Sequence, residues 1–200
     1  MKTLIIAPVL LAAYLTGGPD EATTTAPGGL MALRLDPVHS SLIFRIKHAG
    51  CTWFYGRIDS PSGTIEFDPE NPGSLSVDLE LQVANINTGA EQRNNHLKSA
   101  DFFDGNQFPT ISFKSTKSAK GSADNTYEVT GDLTMRGITK SITIPFEYTG
   151  EGRFRRGPRY GFASQFTINR SDWDVSFGIG TMLDDEVQLT FGLETQPAGQ

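Results

Sequence analysis

Leu75 to Val83, LSVDLELQV, is the stretch that decides the fold. Leu75, Val77, Leu79, Leu81 and Val83 alternate with Ser76, Asp78, Glu80 and Gln82. A two-residue period is that of a β-strand with one buried and one wet face. The same period recurs on both sides. Upstream, Leu42, Phe44, Ile46 and His48 share one face and Ile43, Arg45 and Lys47 the other; Gly50 then turns the chain and Trp53 to Ile58 returns. Gly63, Ile65 and Phe67 line a short strand that ends at Asp68-Pro69. Downstream, Ile111 and Phe113 lead into a polar hairpin loop through Gly121 to Asn125. Val129, Gly131, Leu133 and Met135 mark the next strand, which turns at Arg136-Gly137 and runs back through Ile138, Ile142, Ile144, Phe146 and Tyr148. Tyr160, Phe162, Phe166 and Ile168 share a face, as do Val187, Leu189, Phe191 and Leu193.

The pattern predicts an all-β domain of roughly eight strands joined mainly by hairpins, an antiparallel barrel or sandwich. Strands of about nine residues reach roughly 30 Å. An eight-stranded barrel fills its interior with side chains or leaves room for one small ligand. The inward set mixes large residues (Phe44, Phe113, Phe146, Phe166) with small ones (Gly56, Gly131, Ser164), as either a tapered cavity or a sandwich core would.

One segment breaks the alternation. In Arg93 to Phe113, RNNHLKSADFFDGNQFPTISF, charged, amide and aromatic residues crowd together before a strand resumes at Thr110. Gly89 to Ser99 within and before it is the one stretch that reads as helix. Such interruptions carry function more often than the sheet that holds them.

Composition sets further bounds. The chain of 200 residues carries a formal net charge of −6 with no basic block, which counts against nucleic-acid binding. No apolar run is long enough for a stable membrane anchor. Cys51 is the single cysteine, so no intrachain disulfide can form. It reads either as a small residue beside a turn or as a free thiol or intermolecular link. Residues 1–18, with Lys2 ahead of an apolar core from Leu4 to Leu15, read as a cleaved export signal, implying a periplasmic or secreted protein. Gly18 stands where a lipidated cysteine would be needed. Residues 19–31 read as a flexible linker rich in Pro, Gly, Thr and Ala, and 32–197 as the folded domain.

The motifs, taken in order, resemble the YceI family of bacterial periplasmic proteins. The matching pieces are Asp36-Pro37-Val38-His39-Ser40-Ser41, Lys47-His48, Thr88-Gly89, Arg93, His96-Leu97, Ser99-Ala100-Asp101-Phe102-Phe103 and Phe108-Pro109-Thr110-Ile111-Ser112-Phe113. Gly131-Asp132-Leu133-Thr134, Gly137-Ile138-Thr139-Lys140, Asn169-Arg170-Ser171-Asp172 and Asp185-Glu186-Val187 follow. The resemblance implies an elongated lipocalin-like antiparallel barrel of eight strands with one short helix. It implies a long apolar ligand, a polyisoprenoid or fatty-acid derivative, and no catalytic mechanism. Three positions depart from the pattern. Asn94 stands where Asp is common, Arg136 replaces a common His, and Trp173-Asp174 replaces the usual Phe-Gly.

If the barrel encloses a chain, Phe44, Ile46, Leu81, Phe113, Leu133, Phe146 and Phe166 face it. Arg93, His96 and Leu97 share one face of the short helix. Arg93 could fork onto an anionic head group with His96 as a second donor. Alternatively the three form a plug, with Leu97 packed on the barrel end while Arg93 and His96 bond backbone carbonyls or a carboxylate. Phe102 and Phe103 either gate the cavity or seal it. Asp172 is expected to bond its turn backbone and Arg170 to pair locally.

His39, His48 and His96 show no metal-ligand spacing, so no metal is expected. No nucleophile elbow, phosphate loop or HExxH is present; neither an enzyme nor a cofactor is expected. A carbohydrate- or protein-binding surface built on Trp53 and Tyr55 is the alternative to an internal lipid, and a homodimer is left open.

Overall fold

The structure is a computed structural model that describes residues 29–199. The expected signal peptide and most of the linker lie outside the described residues. In chain order the elements are β1 (Met31–Leu35), β2 (Ser41–His48), β3 (Thr52–Ile58), β4 (Ser62–Phe67), β5 (Ser76–Gln82), β6 (Ile86–Asn87), α1 (Glu91–Lys98), β7 (Thr110–Lys120), β8 (Thr126–Met135), β9 (Ile138–Phe154), β10 (Gly157–Asn169) and β11 (Leu183–Pro197).

These segments occupy eight positions around a closed antiparallel barrel. β1 and β2 lie end to end against β11, with Leu35 opposite Thr195 and Ser41 opposite Gly192. β4 and β3 lie end to end against them, and β5 and β6 do the same one position further round. From β5 the order continues β7, β8, β9, β10, β11, and the β1–β11 pairing closes the ring. Closure leaves few exposed sheet edges for other chains to pair with.

The sequence pattern missed β1 and the two-residue β6, and did not show that the first three positions are each broken in two. The break after β1 has a local cause. The Asp36 carboxylate accepts from the Val38 and His39 backbone N–H groups at 2.9 and 3.3 Å, and Pro37 can donate nothing to a ladder. The chain therefore turns a corner before Ser41 rejoins β11.

The two barrel ends differ. At one, Phe67 packs against Tyr127, Tyr148 and Phe162 with ring centroids 5.7, 4.8 and 5.3 Å away, and Phe146 and Val129 are buried beneath them. Burial raises the hydroxyl pKa of Tyr127, Tyr148 and Tyr160. This end is solid. At the other lie the β2–β3 and β8–β9 turns, α1 and the loops 99–109 and 170–182. Trp173 is turned inward there, fully buried, with Nε1–H donating to the Leu133 carbonyl at 3.0 Å.

Candidate ligand-binding cavity

Between the solid end and the loops the barrel is hollow. The cavity is about 460 Å³, within the range of roughly 300–1,000 Å³ typical of small-molecule sites. Its walls are almost wholly apolar. Leu42, Phe44 and Ile46 face it from β2, Leu79 and Leu81 from β5, Ile111 and Phe113 from β7, and Leu133 from β8. Ile142 and Ile144 of β9, Phe166 and Ile168 of β10, and Leu189, Phe191 and Leu193 of β11 continue the wall. Leu42 to His48 on β2 is seven residues, or six steps of strand rise, roughly 20 Å along the wall.

The mixture of large and small residues has a geometric reason. Phe44 stands opposite Gly56 across the β2–β3 pair, and its ring lies so close to Gly56 that a Cβ there would collide with it. Gly131 stands diagonally across the β7–β8 pair from Phe113, and a Cβ there would collide with that ring and with the Lys114 carbonyl. Each ring lies along the wall over a glycine and leaves the centre of the bore clear. Ser164 is instead buried away from the bore, donating to the Pro145 carbonyl at 2.6 Å.

The mouth gathers the residues of the interrupted segment. Asn94 Oδ1 accepts from the Thr88 backbone N–H at 2.8 Å and is 2.6 Å from the Thr88 hydroxyl, so the amide does here what a carboxylate oxygen could. Arg93 donates Nε–H to the Thr88 hydroxyl (3.0 Å) and Nη2–H to the Thr88 carbonyl (2.8 Å), with its guanidinium 4.2 Å above the Phe54 ring. His96 Nε2 lies 2.9 Å from Asp101 Oδ2. These bonds are those of a plug, yet Arg93, His96 and Leu97 also line the cavity, as do Phe102 and Phe103. The rings of His96, Phe102 and Phe177 meet in a cluster, with centroid distances of 4.9 to 5.1 Å.

Of the residues expected to face a ligand, Phe146 alone lies off the cavity wall; it belongs to the solid end. Several wall residues escaped the sequence reading as site residues. Phe54, Phe177, Met182 and Leu183 line the mouth. Phe177 sits in an aperiodic loop, and the flanking Gly178 and Gly180, both at positive φ, were the available signal of a tight turn there.

Two arginines hold the mouth loops. Arg170 is buried and donates to three carbonyls, Asp184 (3.0 Å), Val175 (2.6 Å) and Phe177 (3.0 Å). Burial lowers its pKa, opposed by the nearby Asp185. Arg136 Nη1 donates to the Phe102 carbonyl (2.6 Å) and the Asp174 carbonyl (2.9 Å). Asp172 does not bond its turn backbone: it takes the Lys140 ammonium at 2.6 Å. Asp185 holds the turn instead, accepting from the Ser171 N–H and hydroxyl at 2.8 and 2.6 Å. A carboxylate from the neighbouring strand reaches that turn in the geometry that Asp172, within the turn, was expected to supply.

Outside the barrel, Asp36, His39 and Glu194 each bring a ligand atom within 4.8 Å of the others, a grouping not evident from histidine spacing. Each is already engaged. His39 Nδ1 lies 3.0 Å from Asp36, and Glu194 lies 3.4 Å from the Arg159 guanidinium, whose charge opposes a cation. Cys51 is exposed at the β2–β3 turn.

A closed antiparallel barrel, solid at one end and opening through an aromatic mouth onto an apolar bore, defines the class of this molecule. The chain belongs to the YceI-like domain family, whose model matches residues 33–195. A UPF0312 protein of Ectopseudomonas mendocina is 32% identical over 190 residues, covering 94% of this chain and 95% of that one. Among solved structures, Burkholderia cenocepacia BcnA matches with a TM-score of 0.73 at 26% identity, covering 81% of this chain and 99% of BcnA. A polyisoprenoid-binding domain from Saccharophagus degradans shares the fold at a TM-score of 0.62 and 17% identity, over 84% of this chain and 99% of that one.

Proposed function

We propose that this protein is a non-catalytic carrier that holds the long apolar part of a polyisoprenoid or fatty-acid derivative inside the barrel, in the periplasm or outside the cell. The observation that carries the reading is the bore itself: about 460 Å³ of apolar wall, blocked at one end and opening at the other beside Arg93 and His96. Each methylene moved from water into such a bore contributes about 0.8 kcal/mol, so a long chain needs little polar help to bind tightly. The residues expected to touch it are those of the wall, and Arg93 is placed to meet an anionic head group at the mouth. Among the described residues no helix is long and apolar enough to cross a membrane.

The test is native mass spectrometry of the mature protein from a bacterial periplasm, followed by solvent extraction. A co-purifying lipid mass, or uptake of a polyprenyl or fatty-acyl ligand by the stripped protein, is the expected result. A clean ligand-free mass that takes up neither contradicts the proposal.

A further inference from the structure

A second cleft lies on the outer face of the sheet, away from the bore. Outward positions on β10, β11, β2 and β3 line up there: Gln165 opposite Thr190, Gln188 opposite Arg45, and Arg45 opposite Tyr55. They enclose about 170 Å³ with Ile43 alongside. No carboxylate lines this cleft, although the chain as a whole carries a net charge of −6, and Arg45 is its single cation.

Arg45 is held in place from the side. Its guanidinium sits 4.4 Å above the Trp53 ring, and Nη1 reaches the Tyr55 hydroxyl only at 3.4 Å. Its Nε is buried and has no acceptor, the one such side-chain atom among the described residues. Gln165 and Thr190 beside it are exposed and Gln188 is half-buried, and their side chains bond no protein group among the described residues. A buried donor left unpaired is costly, and native proteins leave few. Here the one buried unpaired donor belongs to a cation, and solvent-facing amides and a hydroxyl line the same cleft.

We propose that this cleft binds the carboxylate of a single acidic sugar. The planar guanidinium fork matches a carboxylate, while the two amides and the threonine hydroxyl supply donors and acceptors for ring hydroxyls. Tyr55 is half exposed and offers a ring face beside them, whereas the Trp53 ring is already stacked by Arg45, with Lys47 5.1 Å away. The cleft is smaller than the roughly 300–1,000 Å³ usual for larger ligands, which limits it to about one sugar ring.

The test follows the Arg45 Nε–H and the Gln165 and Gln188 side-chain amides by NMR while glucuronate, glucose or inorganic phosphate is added. Glucuronate should shift these signals saturably, glucose should not, and phosphate should bind more weakly. Arg45→Met keeps an apolar stem against Trp53, and Gln188→Leu leaves Arg45 alone. Arg45→Met should weaken glucuronate at least about tenfold, as loss of a hydrogen bond to a charged group does, and Gln188→Leu about threefold or more, as loss of a neutral one does, with lipid uptake by the bore unchanged. The proposal is overturned if glucuronate gives no saturable shift, if glucose or phosphate binds as well, or if both variants bind like the parent protein. Lipid uptake is read in the same samples, so failure of the cleft and failure of the bore are distinguishable.

Discussion

Gly56 and Gly131 keep the bore open, because each provides the flat patch of wall over which a phenylalanine ring lies. Gly56→Ala should push the Phe44 ring inward, cost about 1–3 kcal/mol by overpacking, and reduce affinity for the longest chains first. Displacement of a fluorescent fatty acid by ligands of increasing length measures this; an unchanged length profile would show that Phe44 does not border the ligand. The Asp36–His39 pair makes a different prediction. The hydrogen bond from His39 holds the Asp36 carboxyl below its ordinary range, and the same bond raises the His39 imidazole. The pair therefore stabilises the β1–β2 corner in the window between the two values. Its contribution falls away as pH drops through the lowered carboxyl value, and again as pH rises through the raised imidazole value. In an NMR titration, Asp36→Asn should bring the His39 midpoint down toward its ordinary value.

At the scale of elements, the mouth is a set of loops fastened by two arginines. Arg136 and Asp174 meet there: the Arg136 guanidinium is 3.8 Å from the Asp174 carboxylate and bonds its carbonyl. Arg136→Ala leaves the Phe102 and Asp174 carbonyls without that donor, at a cost of about 1–3 kcal/mol. Amide exchange should speed up in 99–108 and 174–182 and stay unchanged in β7 and β8. Equal acceleration throughout would mean that Arg136 supports the barrel and not the mouth. The strands were legible in the sequence because each has one dry and one wet face, which writes a period of two into the residues. The mouth loops were not. Trp173, Phe177 and Met182 reach the cavity end from aperiodic segments, and their positions depend on Arg170 and Asp185, partners that no local pattern reveals. The break between β5 and β6, where the Val83 N–H donates to the Pro109 carbonyl, was hidden for the same reason, whereas the break after β1 is set locally by Asp36 and Pro37.

For the molecule as a whole, the decisive asymmetry is between a packed end and a hollow end. Phe113 and Phe146 looked equivalent in sequence, both inward on long strands, yet only Phe113 borders the cavity. Phe146→Ala should cost about 3–5 kcal/mol in denaturant unfolding with little change in chain-length preference. Phe113→Ala should widen the bore and shift preference toward bulkier or longer chains. The most direct test of an enclosed lipid is to load the stripped protein with a fatty acid carrying a nitroxide at its tail, or beside its carboxyl, and record methyl NMR spectra. An enclosed chain predicts that the tail label broadens Leu42, Leu79 and Leu193 deep in the bore, while the carboxyl-side label broadens Leu97, Met182 and Leu183 at the mouth. Broadening by both labels of outward residues such as Val38 and Ile43, with the bore methyls untouched, would contradict it.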